Sequence, residues 1–278
     1  MVLISSEKDL QVSRESKAEI YFQLPNAMNS ELEKMVEIFK TNEKLIPWFP
    51  SVLITNNFDA AIEFLNRVKP HQIITNNSGV AFHAYREGIK WIAGPYLNMV
   101  NSYGLLCLKE EFNCAGSFIS NELRHQQIRT IKRPENFQLF YSIYHPIVLM
   151  SSRQCLFHQI TGCYKDRIDS SCLSSCAKHA PFTNLKKETF FIEKSKGNYN
   201  HIYNGENFLN TEILNDFPGM FSGFLFDLRN IQTNTQVPES KADLIQNFED
   251  MLSGNPGSEK KLRQSVSHTT MQQYKKGI

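Results

Sequence analysis

Long apolar runs are missing from this chain of 278 residues. PIVLM at 146–150 is among the longest, far short of the roughly 20 residues that span a bilayer, so no transmembrane helix is expected. The opening MVLISSEKDLQ has neither a basic n-region nor a cleavable apolar stretch, which speaks against a signal peptide and for a cytoplasmic protein. Without export, disulfides are not expected, and the six cysteines read as free thiols or metal ligands. A strong excess of one charge is lacking too. The net charge of +2 and pI near 8.1 do not by themselves mark a nucleic-acid binder. The nucleotide fingerprints GxGxxG and GxxxxGK(S/T) are absent, as are the hydrolase signatures GxSxG and HExxH.

What is present is enough apolar residue, 41%, to build one large domain or two small ones. Short apolar runs alternate with amphipathic stretches. Strands are expected at 2–5, 19–24, 46–54, 72–76, 90–94, 113–119, 137–143 and 223–228. Helices are expected at 7–16, 59–68, 80–87, 102–111, 121–131 (capped by Ser120) and 242–252. Another helix follows Ser30, where Ser30 and Glu33 form a capping-box pattern ahead of the stripe Leu32, Met35, Val36 and Phe39. A strand-then-helix rhythm of this kind implies parallel strands joined by helices. Seven or eight such units favour a closed TIM-like (β/α) barrel over an open sheet. The barrel is expected to fill residues 1–253. Within it, residues 151–210 are rich in Cys, Ser, Asn and Lys, lack a sustained period and read as an irregular cysteine-rich insertion. The polar, basic end, 254–278, reads as a solvated tail.

Four of the six cysteines fall in RQCLFHQITGCYKDRIDSSCLSSC, residues 153–176. Cys155, Cys163, Cys172 and Cys176 follow the spacing C-x7-C-x8-C-x3-C. Thiolates brought together repel one another unless a cation lies between them. Four in one loop therefore point to an iron–sulfur cluster or to zinc in an all-cysteine tetrahedral site. Zinc sites more often show C-x2-C knuckles, which this spacing lacks. His158 and His179 lie close by, so a mixed Cys/His zinc site stays open, as does a reading with no metal. Cys107 and Cys114 read as small buried hydrophobes without a role.

In a parallel barrel, chemistry sits at the C-terminal ends of the strands. Asn76, Asn77, Asn98, Asn101, Glu122, His145 and Arg153 fall at such ends. Glu122, Asn101 and His145 are the candidate catalytic residues. Glu122 is a general base or a substrate-orienting carboxylate if it points inward, and a helix-start hydrogen-bonding group if it does not. His145, just before Pro146, is alternatively a structural histidine. Arg153, two residues before Cys155, offsets thiolate charge, binds a substrate anion, or is simply solvated.

The run from Trp91, WIAGPYLNMVNSYGLLCLKEEFNCAGSFISNELRHQQI, resembles peptidase family U32, the collagenase-like proteases. The family's LN-xx-NS element is matched by Leu97, Asn98, Asn101 and Ser102. Its S-x-EL is matched by Ser120, Asn121, Glu122 and Leu123, with QI at Gln127 and Ile128. A Met shortly before a Cys is matched by Met150 and Cys155, and a close C-x3-C pair by Cys172 and Cys176. The resemblance covers roughly residues 1–230 and is most specific between 91 and 176. It implies a barrel-like fold and, as in several branches, a [4Fe–4S] cluster on four cysteines. Among the branches are a hydroxylase of a ribosomal-RNA cytidine, a partner in oxygen-independent hydroxylation for ubiquinone synthesis, and members named as proteases. The chain looks most like the C-terminal barrel of long two-barrel members related to the RNA-hydroxylase branch. That likeness implies a longer parent whose N-terminal barrel is a partner. Two positions depart from the pattern. His158 stands where a second cysteine tends to sit, and Gly197 where a downstream cysteine would be, so Cys163 is taken as the fourth ligand.

Three readings follow. The first is a cluster-dependent enzyme hydroxylating RNA or a small precursor, with the basic stretches 124–133 and 260–276 meeting phosphates. The second is a peptidase, as the family name implies. The third is a non-catalytic, metal-stabilised binding module.

Overall fold

A computed structural model of the protein describes residues 1–277, the side chains of Arg14 and Glu15 excepted; Ile278, the last residue of the expected tail, lies outside the described residues. The chain divides into two compact units. One comprises Met1–Tyr144, Asn210–Arg229 and Met271–Ile278, the other His145–Leu209 and Asn230–Thr270.

In the first unit, seven strands pair in chain order, all parallel: β1 (Val2–Ile4), β2 (Ile20–Gln23), β3 (Ile46–Phe49), β4 (Gln72–Thr75), β5 (Lys90–Ala93), β6 (Gly116–Phe118) and β7 (Gln138–His145). A closing strand, Gly223–Asp227, pairs in parallel with both β1 and β7 and completes an eight-stranded barrel. Strands buried on both faces read as continuous apolar runs, which is why their sequences were legible. The strand expected over 46–54 stops at Phe49, ahead of Pro50, which has no N–H to give a ladder.

The intervening helices are α1 (Val12–Glu15), α2 (Met28–Thr41), α3 (Asn56–Val68), α4 (Ser78–Arg86), α5 (Ser102–Phe112) and α6 (His125–Ile128). On α2, Met35, Val36 and Phe39 are buried, and Phe39 meets Phe64 of α3 edge-on at 5.1 Å. The helix begins at Met28, so Ser30 lies inside its first turn and donates to the Ala27 carbonyl instead of capping. Two expected helices shrink. Residues 7–16 form a 3-10 turn at Glu7–Asp9 and then the short α1. Residues 121–131 give only the single turn of α6. There the expected cap, Ser120, donates its hydroxyl to Asn98 Oδ1 at 2.6 Å.

One interior cluster fills the barrel: Leu3, Tyr21, Trp48, Ile74, Ile92, Phe118, Phe140 and Leu225, one from each strand, together with Ile46. Trp48 lies edge-on to Tyr21 at 6.1 Å and to Phe118 at 5.6 Å, and Phe118 stacks on Phe140 at 5.2 Å. The interior is thus a packed core, not a pore. Two residues further along each strand come Ser5, Gln23, Pro50, Asn76, Gly94, Ser120, Ser142 and Asp227. The two-residue strand period keeps this layer on the same inward side, at the C-terminal ends. The interior therefore changes from apolar to largely polar in one step.

The second unit is where the sequence reading departs most. The stretch expected to be irregular holds an antiparallel sheet of β8 (Val148–Ser152), β9 (Lys178–Thr183), β10 (Thr189–Ser195) and β11 (Tyr199–Asn204), in the order β8-β11-β10-β9. β12 (Asn207–Leu209) pairs in parallel with Thr269–Thr270. The helix Lys241–Leu252, expected in the barrel, belongs here. It buries Leu244, Ile245, Phe248 and Met251 and packs with the helix Ser258–Ser265. Its buried Asn247 donates to Glu239 and Ser265. Most of the expected tail is therefore folded, and its helix Gln272–Lys276 is part of the first unit. Among the described residues no helix is long and apolar enough to cross a membrane.

Candidate functional site

At the mouth of the barrel the polar layer is wired together. Asp227 ends the closing strand and is buried, and Arg229 folds back on it. Arg229 Nε lies 2.8 Å from Asp227 Oδ1 and Nη2 lies 2.5 Å from Oδ2, a two-pronged geometry that only a guanidinium offers. Nη1 donates to Gln23 Oε1 at 2.6 Å. The Tyr96 hydroxyl also bonds Arg229. Although the residue as a whole is 46% exposed, desolvation around its hydroxyl pushes that phenol up to about 12, with Asp227 and Glu122 adding to the rise and Arg229 opposing it. Tyr96 therefore enters this mouth as a neutral hydrogen-bonding group.

Backbone geometry holds Tyr96 in place. Its N–H donates to Asn76 Oδ1 at 3.0 Å, while Asn76 Nδ2 donates to the Phe49 carbonyl at 3.0 Å. Asn76 lies across the start of the β5 loop, and a Cβ on Gly94 would sit 2.2 Å from its Oδ1. Position 94 must be glycine for that arrangement. Ser142 is also buried and has no hydrogen-bond partner for its Oγ among the described residues.

The residues singled out from the sequence fall into different surroundings. Glu122 is exposed on the turn after β6, close enough to act on the Tyr96 phenol, and its own N–H donates to Ser120 Oγ. Asn101 caps α5, its Oδ1 accepting from Gly104 N–H at 2.9 Å. Asn77 caps α4 and donates to the Ser51 carbonyl. In the second unit, buried His145 bonds the Pro146 carbonyl through Nδ1 and stacks on Phe208 at 4.9 Å. Arg153 is exposed and lies over the Tyr199 ring at 4.3 Å. Tyr96, Asp227, Arg229 and Gln23 escaped sequence reading. The one available signal was the charged pair closing the apolar run GFLFDLR.

The four clustered cysteines are free and lie in the second unit. Cys155 is buried beside Lys194, whose Nζ is 3.3 Å from its Sγ. Lys194 is itself only 1% exposed. Burial pushes the Cys155 thiol up, but N–H groups of His158 and Phe157 and the Lys194 ammonium outweigh it and hold the thiol below its ordinary range. Cys163 has Lys178 Nζ at 3.8 Å, and the same ammonium covers the Phe157 ring at 4.8 Å. Cys172 is buried on the helix Ser170–Ser174, its N–H bonded to the capping Asp169 at 3.0 Å. Cys176 follows that helix and is partly exposed. These donors have the chemistry for an iron–sulfur cluster or for zinc. They stand apart, however: among the described residues no group of three or more His, Cys, Asp or Glu is placed to hold a metal ion. Outside the set, Cys114 is buried as expected, whereas Cys107 is exposed.

A family model described as peptidase family U32 matches residues 23–238. The chain belongs to peptidase family U32. The match takes in the barrel strands from the end of β2 through the closing strand, all four clustered cysteines and the mouth residues Gln23, Asn76, Tyr96, Glu122, Asp227 and Arg229. No curated protein and no solved structure matches this U32 chain.

Proposed function

We propose that this U32 protein is a [4Fe–4S] enzyme that hydroxylates RNA or a small precursor, with Cys155, Cys163, Cys172 and Cys176 as cluster ligands. The observation that supports this reading is the Cys155–Lys194 pair. A fully buried lysine is costly unless it faces an anion, so its neighbour is suited to a sulfur carrying negative charge. A bound cluster supplies one-electron chemistry. Lys194, and Lys178 beside Cys163, offset the charge of the thiolate ligands. In the barrel unit, Glu122 and the neutral Tyr96 phenol orient the substrate and move its proton, while Asp227 fixes Arg229 and Arg229 fixes Tyr96. Hydroxylation of a C–H bond inserts one oxygen atom and oxidises the substrate by two electrons, so an oxygen-atom donor from outside the chain, itself reduced by those two electrons, belongs to the reaction. The basic stretches 124–133 and 260–276 meet RNA phosphates in this reading, and an N-terminal barrel of a longer parent is the partner. Zinc on the same thiolates is the alternative metal.

A peptidase reading is carried by the family's description, and the depressed Cys155 thiol supplies a nucleophile for it. Its weakness is the burial of that sulfur, which keeps a scissile amide away.

Anaerobic purification with absorption, iron, sulfide and zinc analysis separates the readings. Absorbance near ~400 nm with about four iron and four sulfide per chain supports the cluster. Loss of iron in Cys172→Ala or Cys176→Ala supports the ligand set, and full retention in either removes it. Zinc alone, or no metal, overturns cluster-dependent hydroxylation, and peptide hydrolysis becomes the activity to measure.

A further inference from the structure

A cavity of about 320 Å³ opens in the barrel unit where α6, the helix Ile213–Asp216 and the helix Gln272–Lys276 meet. That volume lies at the lower end of the range for small-molecule sites. Its wall carries two cations, Arg124 and Lys275, and two carboxylates, Glu212 and Asp216. Among the described residues, neither cation forms an ion pair with either carboxylate. Opposite charges therefore share one concavity without pairing directly with each other.

Part of this wall is rigidly built. Tyr274 is buried, and its hydroxyl donates to Asp216 Oδ2 at 2.5 Å. That bond, with His125 Nε2 at 3.9 Å from the same oxygen, fixes the carboxylate through Oδ2. The His125 ring packs between Phe217 at 5.1 Å and Tyr274 at 5.4 Å, giving the cavity an aromatic side. Arg129 Nη2 lies 3.4 Å from His125 Nε2 and restrains the ring further.

The geometry points to a binding site for a small zwitterion, a molecule carrying both an ammonium and a carboxylate, of which a free amino acid is the simplest. A simple anion placed here gains Arg124 and Lys275 but faces two carboxylates. A simple cation meets the reverse. Only a ligand with both charges satisfies all four groups, and the unfavourable pairings reject the others. Tyr274 and Lys275 lie beyond residue 238, where the family match ends, so this site draws on a segment outside the family-matched region. It is independent of the cysteines, and it takes Arg124 and Lys275 from the basic stretches 124–133 and 260–276 as groups for a small ligand and not for RNA phosphates.

The test is isothermal titration of the purified full chain with a panel of free L-amino acids, and with acetate and methylamine as single-charge controls. At least one amino acid is expected to bind with millimolar or tighter affinity, at least about tenfold better than either control. Lys275→Ala and Glu212→Gln, both surface changes, are each expected to weaken that binding about tenfold or more while the circular dichroism spectrum and Tm stay unchanged. Tyr274→Phe keeps the ring but frees Asp216 and is expected to weaken binding by a smaller factor. The site is overturned if no amino acid binds, if acetate or methylamine binds as well as the best amino acid, or if Lys275→Ala and Glu212→Gln bind like the parent protein.

Discussion

Arg229 clasps Asp227 with Nε and Nη2 at 2.8 and 2.5 Å, and with Nη1 it reaches Gln23 at 2.6 Å, tying the closing strand to β2. Both charges are largely withdrawn from solvent, with side-chain exposures of 9% and 4%. Removing one partner strands the other. Asp227→Ala is expected to destabilise the barrel unit by about 3–5 kcal/mol, read as a lower urea midpoint at unchanged m-value. Replacing both residues by apolar ones is expected to cost less than Asp227→Ala alone. A double variant as unstable as the sum of the singles counts against the clasp.

Gly94 and Asn76 are matched in shape. Gly94→Ala forces a methyl against Asn76 Oδ1 and is expected to destabilise by about 1–3 kcal/mol. In an Asn76→Ala background the same change is expected to be nearly neutral. Equal effects in the two backgrounds mean that the methyl is accommodated some other way.

Trp48 touches Tyr21 and Phe118 at the centre of the barrel. Trp48→Ala is expected to cost about 3–5 kcal/mol, because the lost apolar contacts leave a cavity that the strands cannot close. Thermal and urea unfolding measure it directly, and a loss under about 1 kcal/mol means that the interior layer is not the main core.

Cys114 and Cys107 are expected to differ in chemistry. Burial pushes the Cys114 thiol up to about 12, with bonds to the Gly116 and Ala93 backbone opposing the rise. A raised value favours the neutral form. Its stabilising contribution is complete below the ordinary thiol value of 9.0 and fades as pH climbs toward about 12. At pH 8, iodoacetamide is therefore expected to label exposed Cys107 and spare Cys114, as read by peptide mass spectrometry. Cys114→Ala is expected to flatten the loss of stability between pH 9 and 12. Labelling of both thiols at equal rates contradicts this.

The barrel was legible because parallel strands covered on both faces write unbroken apolar runs, as in IPWF and QIIT. The second unit was not, because its strands are mixed in composition. In β9, KHAPFT, exposed positions alternate with half-buried ones, and β10 places a lysine, Lys194, where a core residue is expected. A polar strand of this kind looks like a loop until its neighbours are known. Tertiary pairing also explains the mouth. Gln23 and Arg229 are 206 positions apart and meet only because the closing strand returns beside β1. Glu122 could be picked out from the sequence, whereas Tyr96, whose phenol its charge pushes upward, could not.

Because the closing strand alone joins β1 to β7, the barrel has two raw edges until residue 227 has been synthesised. Every earlier strand can dock on its predecessor as it emerges, but β1 must wait while the whole second stretch, from His145 to Leu209, is made. Ring closure is then a late event spanning nearly the full sequence, the kind of long-range pairing that slows folding. Until it happens, the unpaired N–H and C=O groups along the edges of β1 and β7 can recruit other chains. Nascent chains that stall or are cut short of Gly223 are consequently the species most exposed to aggregation, and the ones most dependent on chaperones.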